Sequence, residues 1–256
     1  MTIPTSVTSI GRDAFLFCSS LTSIHVDSTN INYSAEDNVL FNKDKTELLY
    51  FAGGKTGSYS IPNTVTHIGR RAFTSSKGLT SVIIPNSVTS IGESAFSKCK
   101  SLTSVTIPNS VTIIEYKAFE GSGLTSVTLP NSITSIASMT FSNCIRLTSI
   151  TIPNSVTNIK YGAFEYCRSL ASLTIGTSVT SIGEGAFSTC SKLMEVTCEA
   201  KEVPRIGSAF HSSSFQYGTL HVPAESFDKY KNAEGWNVWK HIEVIGSEIV
   251  GNQKDL

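Results

Sequence analysis

Six cysteines and five histidines are the residues that could carry metal, redox or nucleophilic chemistry in this chain of 256 residues. Cys144, Cys167 and Cys190 stand 23 residues apart, and Cys18 and Cys99 fit the same local pattern. Zinc sites use close cysteine pairs, two to four residues apart, and no two cysteines here are that near. A disulfide between Cys144 and Cys167 is compatible with stacked segments about 4.8 Å apart. Equivalent side chains of stacked copies point the same way, however, and Ser76 and Ser122 fill the same slot. The expectation is buried free thiols that act as small apolar residues with a weak S–H donor.

The other candidates are weaker. Gly54-Lys55-Thr56 matches the end of a phosphate-binding loop, but Leu49 stands where its first glycine belongs. Ser58-Tyr59-Ser60-Ile61-Pro62 then leads into a strand instead of a helix, so this reads as a turn. His25 and His221 occupy a slot held elsewhere by threonine, and His67 one held by serine, isoleucine or asparagine. No Ser-His-Asp or Cys-His grouping is discernible among them. Asn32-Tyr33-Ser34 is a glycosylation sequon, relevant only in a eukaryotic secretory pathway. No catalytic residue, metal or cofactor is expected.

The slots belong to a repeat, and the repeat is what must position them. Leucines open copies at Leu79, Leu102, Leu124, Leu147, Leu170 and Leu193, at spacings of 23, 22, 23, 23 and 23 residues. The copy from Leu102 reads LTSVTIPNSVTIIEYKAFEGSG. A period of this length indicates a solenoid of stacked coils. In Leu102 to Ile107, Val105 and Ile107 alternate with Ser104 and Thr106, a strand with one face inward. Pro108-Asn109 starts a turn. Val111 and Ile114 make a shorter inward run, and Ala118-Phe119 is expected on a tight helical or 3₁₀ turn, its ring filling the corner. The next slot after Ile114 is often glycine (Gly11, Gly69, Gly92, Gly183, Gly207), yet Glu115, Ala137 and Lys160 also hold it. A positive φ there would be costly in those three copies, so ordinary backbone is expected.

Both ends depart from the period. The first coil enters at Ile3-Pro4, already mid-unit, which suggests a chain boundary or a removed leader. Phe73 follows Phe15 by 58 residues, and the segment from 27 to 60 is irregular. Val39-Leu40-Phe41 and Leu48-Leu49-Tyr50-Phe51 around a polar turn predict a hairpin. Toward the C-terminus, Tyr217, Leu220, Val222 and Pro223 repeat the unit once more, with tyrosine in the leucine slot. A helix over 224–233, then Trp236, Trp239 and a last strand, form a cap that seals the open end. The expected organisation is one α/β repeat solenoid over 1–245, a right-handed coil of mostly parallel strands, with a cap over 217–245 and a polar tail over 246–256.

Composition narrows the function classes. Twenty basic residues balance twenty acidic ones, and charged residues make up only 16%. This offers no electrostatic footprint for nucleic acid or an anionic membrane, and no apolar run reaches the length of a membrane span. A monomer is expected.

The unit L-x-x-V-x-I-P-x-x-V-T-x-I-G-x-x-A-F-x-x-C resembles the BspA-like, or Treponema pallidum-type, leucine-rich repeats, from Ile3 to about Phe210. The ending Leu220-His-Val-Pro-Ala with Gly235-Trp236 is similar to caps of gut Bacteroides members. The resemblance implies a secreted or cell-surface bacterial protein without catalytic residues, adhering to host proteins or other cells. On that reading the site is the outward strand face: Ser104, Thr106, Ser126, Thr128, Ser149, Thr151, Ser172 and Thr174 in two ladders. Short hydroxyl residues also suit any solvated strand. The expected partner is a host extracellular-matrix or plasma protein, or a glycan. The alternative is a spacer that projects another domain.

Overall fold

Alternating apolar residues at a repeat spacing of 23 lay each strand beside its predecessor, and the result is a parallel-strand β-solenoid. The computed structural model describes residues 1–246 apart from Arg12, Phe17 and Ser19. Most of the polar tail expected over 246–256 therefore lies outside the described residues.

The first face of the coil carries two parallel sheets. One comprises Gly57–Ser60, Leu79–Ile83, Ser104–Thr106 and Ser126–Thr128. The other comprises Ser149–Ile152, Ser172–Ile175, Glu195–Cys198, Thr219–Val222 and His241–Val244. A second face is built from two-residue strands such as Ser90–Ile91, Ile113–Ile114 and Ser135–Ile136. This face also falls into two sheets, with the break between Ile113–Ile114 and Ser135–Ile136.

Both breaks flank the coil opened by Leu124, which follows the one coil that is a residue short. The missing residue lies just before Leu124, where Gly123 replaces a two-residue link. The Gly123 N–H donates to the Cys99 carbonyl, and a Cβ there would sit 2.0 Å from the Lys100 oxygen. Only glycine allows this approach. The shortened corner draws Ser126–Thr128 onto the coil before it, in full register, and away from the coil after it. The bond from the Thr148 N–H to the Thr125 carbonyl stretches to 3.4 Å, against 2.9 Å for its counterpart from Thr125 to Thr103.

The corner takes the form of a turn, not the helical or 3₁₀ turn expected. Its backbone alternates. Lys117 and Gly121 have φ of 57° and 65°, and the equivalent residues of other coils (Ser94 and Lys98, Met139 and Asn143) match them. The Ala118, Glu120 and Ser122 N–H groups bond three residues back within the coil, while those of Lys117, Phe119 and Gly121 reach Ser138, Thr140 and Ser142 of the next coil. A helix would send every N–H along its own chain, and the coils would then lose this cross-link. The slot held by Gly69, Gly92, Gly183, Glu115, Ala137 and Lys160 has ordinary backbone, as expected.

Inside the corner, Phe73, Phe96, Phe119, Phe141, Phe164, Phe187 and Phe210 stack in one column. Successive centroids are 4.7–5.4 Å apart and the planes lie within 12° of parallel. Phe15 does not join them and stacks on Tyr50 at 4.6 Å. The reason is the irregular segment. Tyr33–Glu36, Val39–Asn42 and Glu47–Phe51 form an antiparallel meander on the end of the second face. Val39 and Phe41 face the main core, and Leu40 faces a second, smaller core with Ile3, Ile24 and Tyr50. The expected hairpin is present, with one further strand. Asp37 and Asn38, at φ 50° and 63°, make the two-residue turn that adds it.

The C-terminal end is sealed as expected. Tyr230, Trp236 and Trp239 are buried, with rings of Phe210, Phe215 and Trp239 in edge contact. The Tyr230 hydroxyl donates to the Ala200 carbonyl, and the Trp236 indole N–H to that of Pro204. The expected helix is a 3₁₀ turn at Ala224–Ser226 followed by Phe227–Asn232. Tyr217 does not fill a leucine slot. It ends a helix, Ser212–Tyr217, and is 72% exposed, while Phe215 packs inward.

Candidate functional site: the strand face

Period-two alternation puts every second strand residue on the outside of the first face, and pairing sets these in rows. Ser104 lies beside Ser126 and Thr106 beside Thr128. Ser149 lies beside Ser172 and Thr151 beside Thr174. Six of these eight residues are exposed, and Ser172 and Thr174 are half-buried. The eight do not form continuous ladders. The shortened corner before Leu124 divides them into two groups of four, one on each sheet.

The two halves differ in chemistry. Toward the N-terminal side the rows continue through Ser81 and Ser58, and through Ile83 and Ser60. Ile83 takes a threonine position and is 64% exposed. It sits in a groove of about 690 Å³ lined also by Ser104, Thr106, Thr128, Asn86, Asn109 and Asn131. The asparagines follow the prolines of the turn. Asn109 accepts from the Asn131 N–H through its side-chain oxygen, so its amide is held in place. This half combines one apolar anchor with hydroxyls and amides and has no charge.

Toward the C-terminal side the same rows run into Glu195, Thr197, Thr219, His221, His241 and Glu243. His221 meets Glu195 at 3.0 Å and Glu243 at 3.9 Å. Outward charge thus separates this end from the neutral groove, a division that the repeat consensus does not show.

Four of the five cysteines that share the repeat slot are built into the core, while Cys18, expected with them, is only half-buried. Cys99, Cys144, Cys167 and Cys190 are buried free thiols. Each donates to the carbonyl of the preceding coil's corner phenylalanine, at 2.9 to 3.2 Å. Burial pushes the Cys99 and Cys144 thiols up to about 12, out of the range of nucleophiles. Lys55 lies 5.0 Å over the Tyr59 ring and is followed by a strand. His211 caps Ser212–Tyr217 by accepting from the Ser213 N–H, and His67 hydrogen-bonds Thr66. The sequon asparagine, Asn32, has a buried amide nitrogen. No helix among the described residues is long and apolar enough to cross a membrane.

Known proteins agree with this architecture. The BspA-type leucine-rich repeat region matches in 6 copies, over residues 1–122, 47–167 and 112–233. A leucine-rich repeat protein from Eubacterium ventriosum is 29% identical with a TM-score of 0.69, over 84% of this chain and 57% of that one. A leucine rich cell surface protein from Faecalibacterium prausnitzii is 32% identical with a TM-score of 0.57, over 77% and 47%. The leucine-rich repeat protein of T. pallidum is 25% identical with a TM-score of 0.58, over 74% and 86%. The chain thus spans about half the length of the first two relatives. No curated protein matches it.

Proposed function

Because the chain belongs to the BspA-type leucine-rich-repeat family, we propose that it is a non-catalytic protein-binding domain of a bacterial surface or secreted protein. It engages a host extracellular-matrix or plasma protein through the neutral half of the strand face. The observation that carries this reading is the groove around Ile83, where one exposed apolar side chain is ringed by hydroxyl and amide groups. Protein interfaces concentrate affinity in such an anchor and use the polar rim for register. The rigid coil fixes these groups beforehand, so little ordering cost falls on binding. The cell-surface description of the Faecalibacterium relative supports the placement.

The test is binding to an array of matrix and plasma proteins by the wild type and a Thr106→Glu, Thr128→Glu, Thr151→Glu variant of unchanged circular dichroism. The expected result is a partner that the variant loses. Ile83→Ser should weaken the same partner by about tenfold, since a buried anchor contributes roughly 1–3 kcal/mol. Binding that survives both changes moves the site off this face. No partner for either protein favours a spacer.

A further inference from the structure

Between the corner and the strand face each coil has a short link, and the links hold a charge pattern that the balanced composition conceals. From Phe73 to Leu193 there are eight lysines and arginines. Five of them, Lys77, Lys100, Arg146, Arg168 and Lys192, stand one or two residues before an opening leucine. The five carboxylates of the same stretch, Glu93, Glu115, Glu120, Glu165 and Glu184, all lie outside the links. Only the link ending at Gly123 has no cation. There the close approach to Lys100 requires glycine, and Ser122 is buried.

The links stack directly on one another. Ser101 Oγ donates to the Lys77 carbonyl at 2.6 Å, the Gly123 N–H to the Cys99 carbonyl, and Ser213 Oγ to the Ser191 carbonyl at 3.3 Å. A coil spacing of about 4.8 Å therefore sets the cations in one row about 24 Å long. Lys98 leans toward the link that lacks a charge, since a Cβ on Gly121 would lie 3.5 Å from its Cγ. All six cations are exposed. None makes an ion pair among the described residues, whereas Arg70, Arg71, Lys201 and Lys229 do. Like charges in a row repel, and a polyanion laid along them removes that repulsion.

The geometry limits which polyanion fits. The row is one side chain wide, and none of the larger cavities opens on it, so it does not enclose a small anion. Duplex DNA carries a charge every ~1.7 Å of its axis, far denser than one cation per coil. Single-stranded nucleic acids need aromatic platforms for their bases, and the one ring beside the row, Tyr166, has the Arg168 guanidinium over it at 5.8 Å. A chain of uronic acids carries one carboxylate per sugar, and a sugar unit is about as long as the coil spacing. We propose that this edge binds a linear polyuronate, with successive carboxylates paired to successive cations. The edge is separate from the strand face and stands whether or not that face binds protein.

Biolayer interferometry on immobilised polygalacturonate tests it, at low and at physiological salt. Fully methyl-esterified polygalacturonate, heparin and a DNA duplex are the comparison surfaces. The expected result is binding to polygalacturonate that weakens as salt rises, and none to the methyl ester. The variant Lys100→Ser, Arg146→Ser, Arg168→Ser places in these links a residue that other links already hold. It should lose affinity by roughly tenfold or more and show a flatter salt dependence. The variant Lys117→Ser, Lys160→Ala, Lys231→Ser removes the same charge away from the links and should bind as the wild type does. No binding to polygalacturonate at low salt overturns the proposal. Equal losses in the two variants do so as well, since net charge alone would then be responsible. Tighter binding to heparin or DNA than to polygalacturonate at the same salt also overturns it, because charge density would then outweigh spacing.

Discussion

Two residues in each corner carry backbone that side chains ordinarily avoid. Left-handed conformation costs a non-glycine residue about 1–2 kcal/mol, yet Ser94, Lys117, Met139 and Tyr166 all adopt it. The return is the set of cross-coil bonds that these reversals make possible. The sequence showed no sign of this, since glycine holds the position in only some copies, such as Gly121, Gly162 and Gly185. The phenylalanine column is the opposite case, legible from its spacing and realised as read. Phe141→Ala removes a fully buried ring between two stacked neighbours. It should cost about 3–5 kcal/mol in denaturant unfolding; a loss under about 1 kcal/mol would mean that the column is not the core. The thiols give a pH test. Cys99 and Cys144 are pushed up to about 12, and Cys198 to about 11, by burial, against about 8.5 in an unfolded chain. The folded state therefore holds these protons more tightly. Its stability is full below about pH 8.5 and falls toward pH 12, by about 1.4 kcal/mol per pH unit for each thiol. Cys144→Ser should flatten the alkaline fall of the urea midpoint by one such share, and parallel profiles for variant and wild type would refute it.

At the level of elements, the regular coils could be read directly, because period-two strands and the I-P-N turn repeat with little change. The meander could be read only in part. Val39–Asn42 and Glu47–Phe51 are apolar runs around a polar turn, whereas Tyr33–Glu36 (Tyr-Ser-Ala-Glu) has no alternation to mark it. The short spacing before Leu124 was visible, but its effect on both sheets follows from the contact of Gly123 with Lys100, which no spacing reveals. The first coil is the element with the least support. Among the described residues its apolar side chains join only the small core, and it is tied to the rest partly by Asp13, which meets Arg70 at 3.4 Å and Arg71 at 2.6 Å. Asp13→Ala should speed amide hydrogen exchange across residues 3–26 and leave the main unfolding midpoint where it was. Unchanged exchange there would show that apolar packing alone holds this coil.

Over the whole molecule, the strand-face rows were legible because one rule, repeated, places them. The groove at Ile83 was legible only as a departure from that rule. A cleft of about 450 Å³ between the first coil and the meander was not, since residues 8, 13, 32, 47 and 70 meet through an insertion that has no period. The corner turns also act together. In each coil from that of Phe96 to that of Phe164 three peptide units, such as those ending at Lys117, Phe119 and Gly121, point their N–H groups toward the next coil and their carbonyls toward the previous one. Aligned peptide dipoles add, as along a helix, whereas the dipoles of neighbouring strands largely cancel. The phenylalanine corner is thus an electrically polarised edge running the length of the stack, positive toward the cap and negative toward the N-terminal coils. The chain's one pair of adjacent arginines, Arg70 and Arg71, sits at the negative end of that edge.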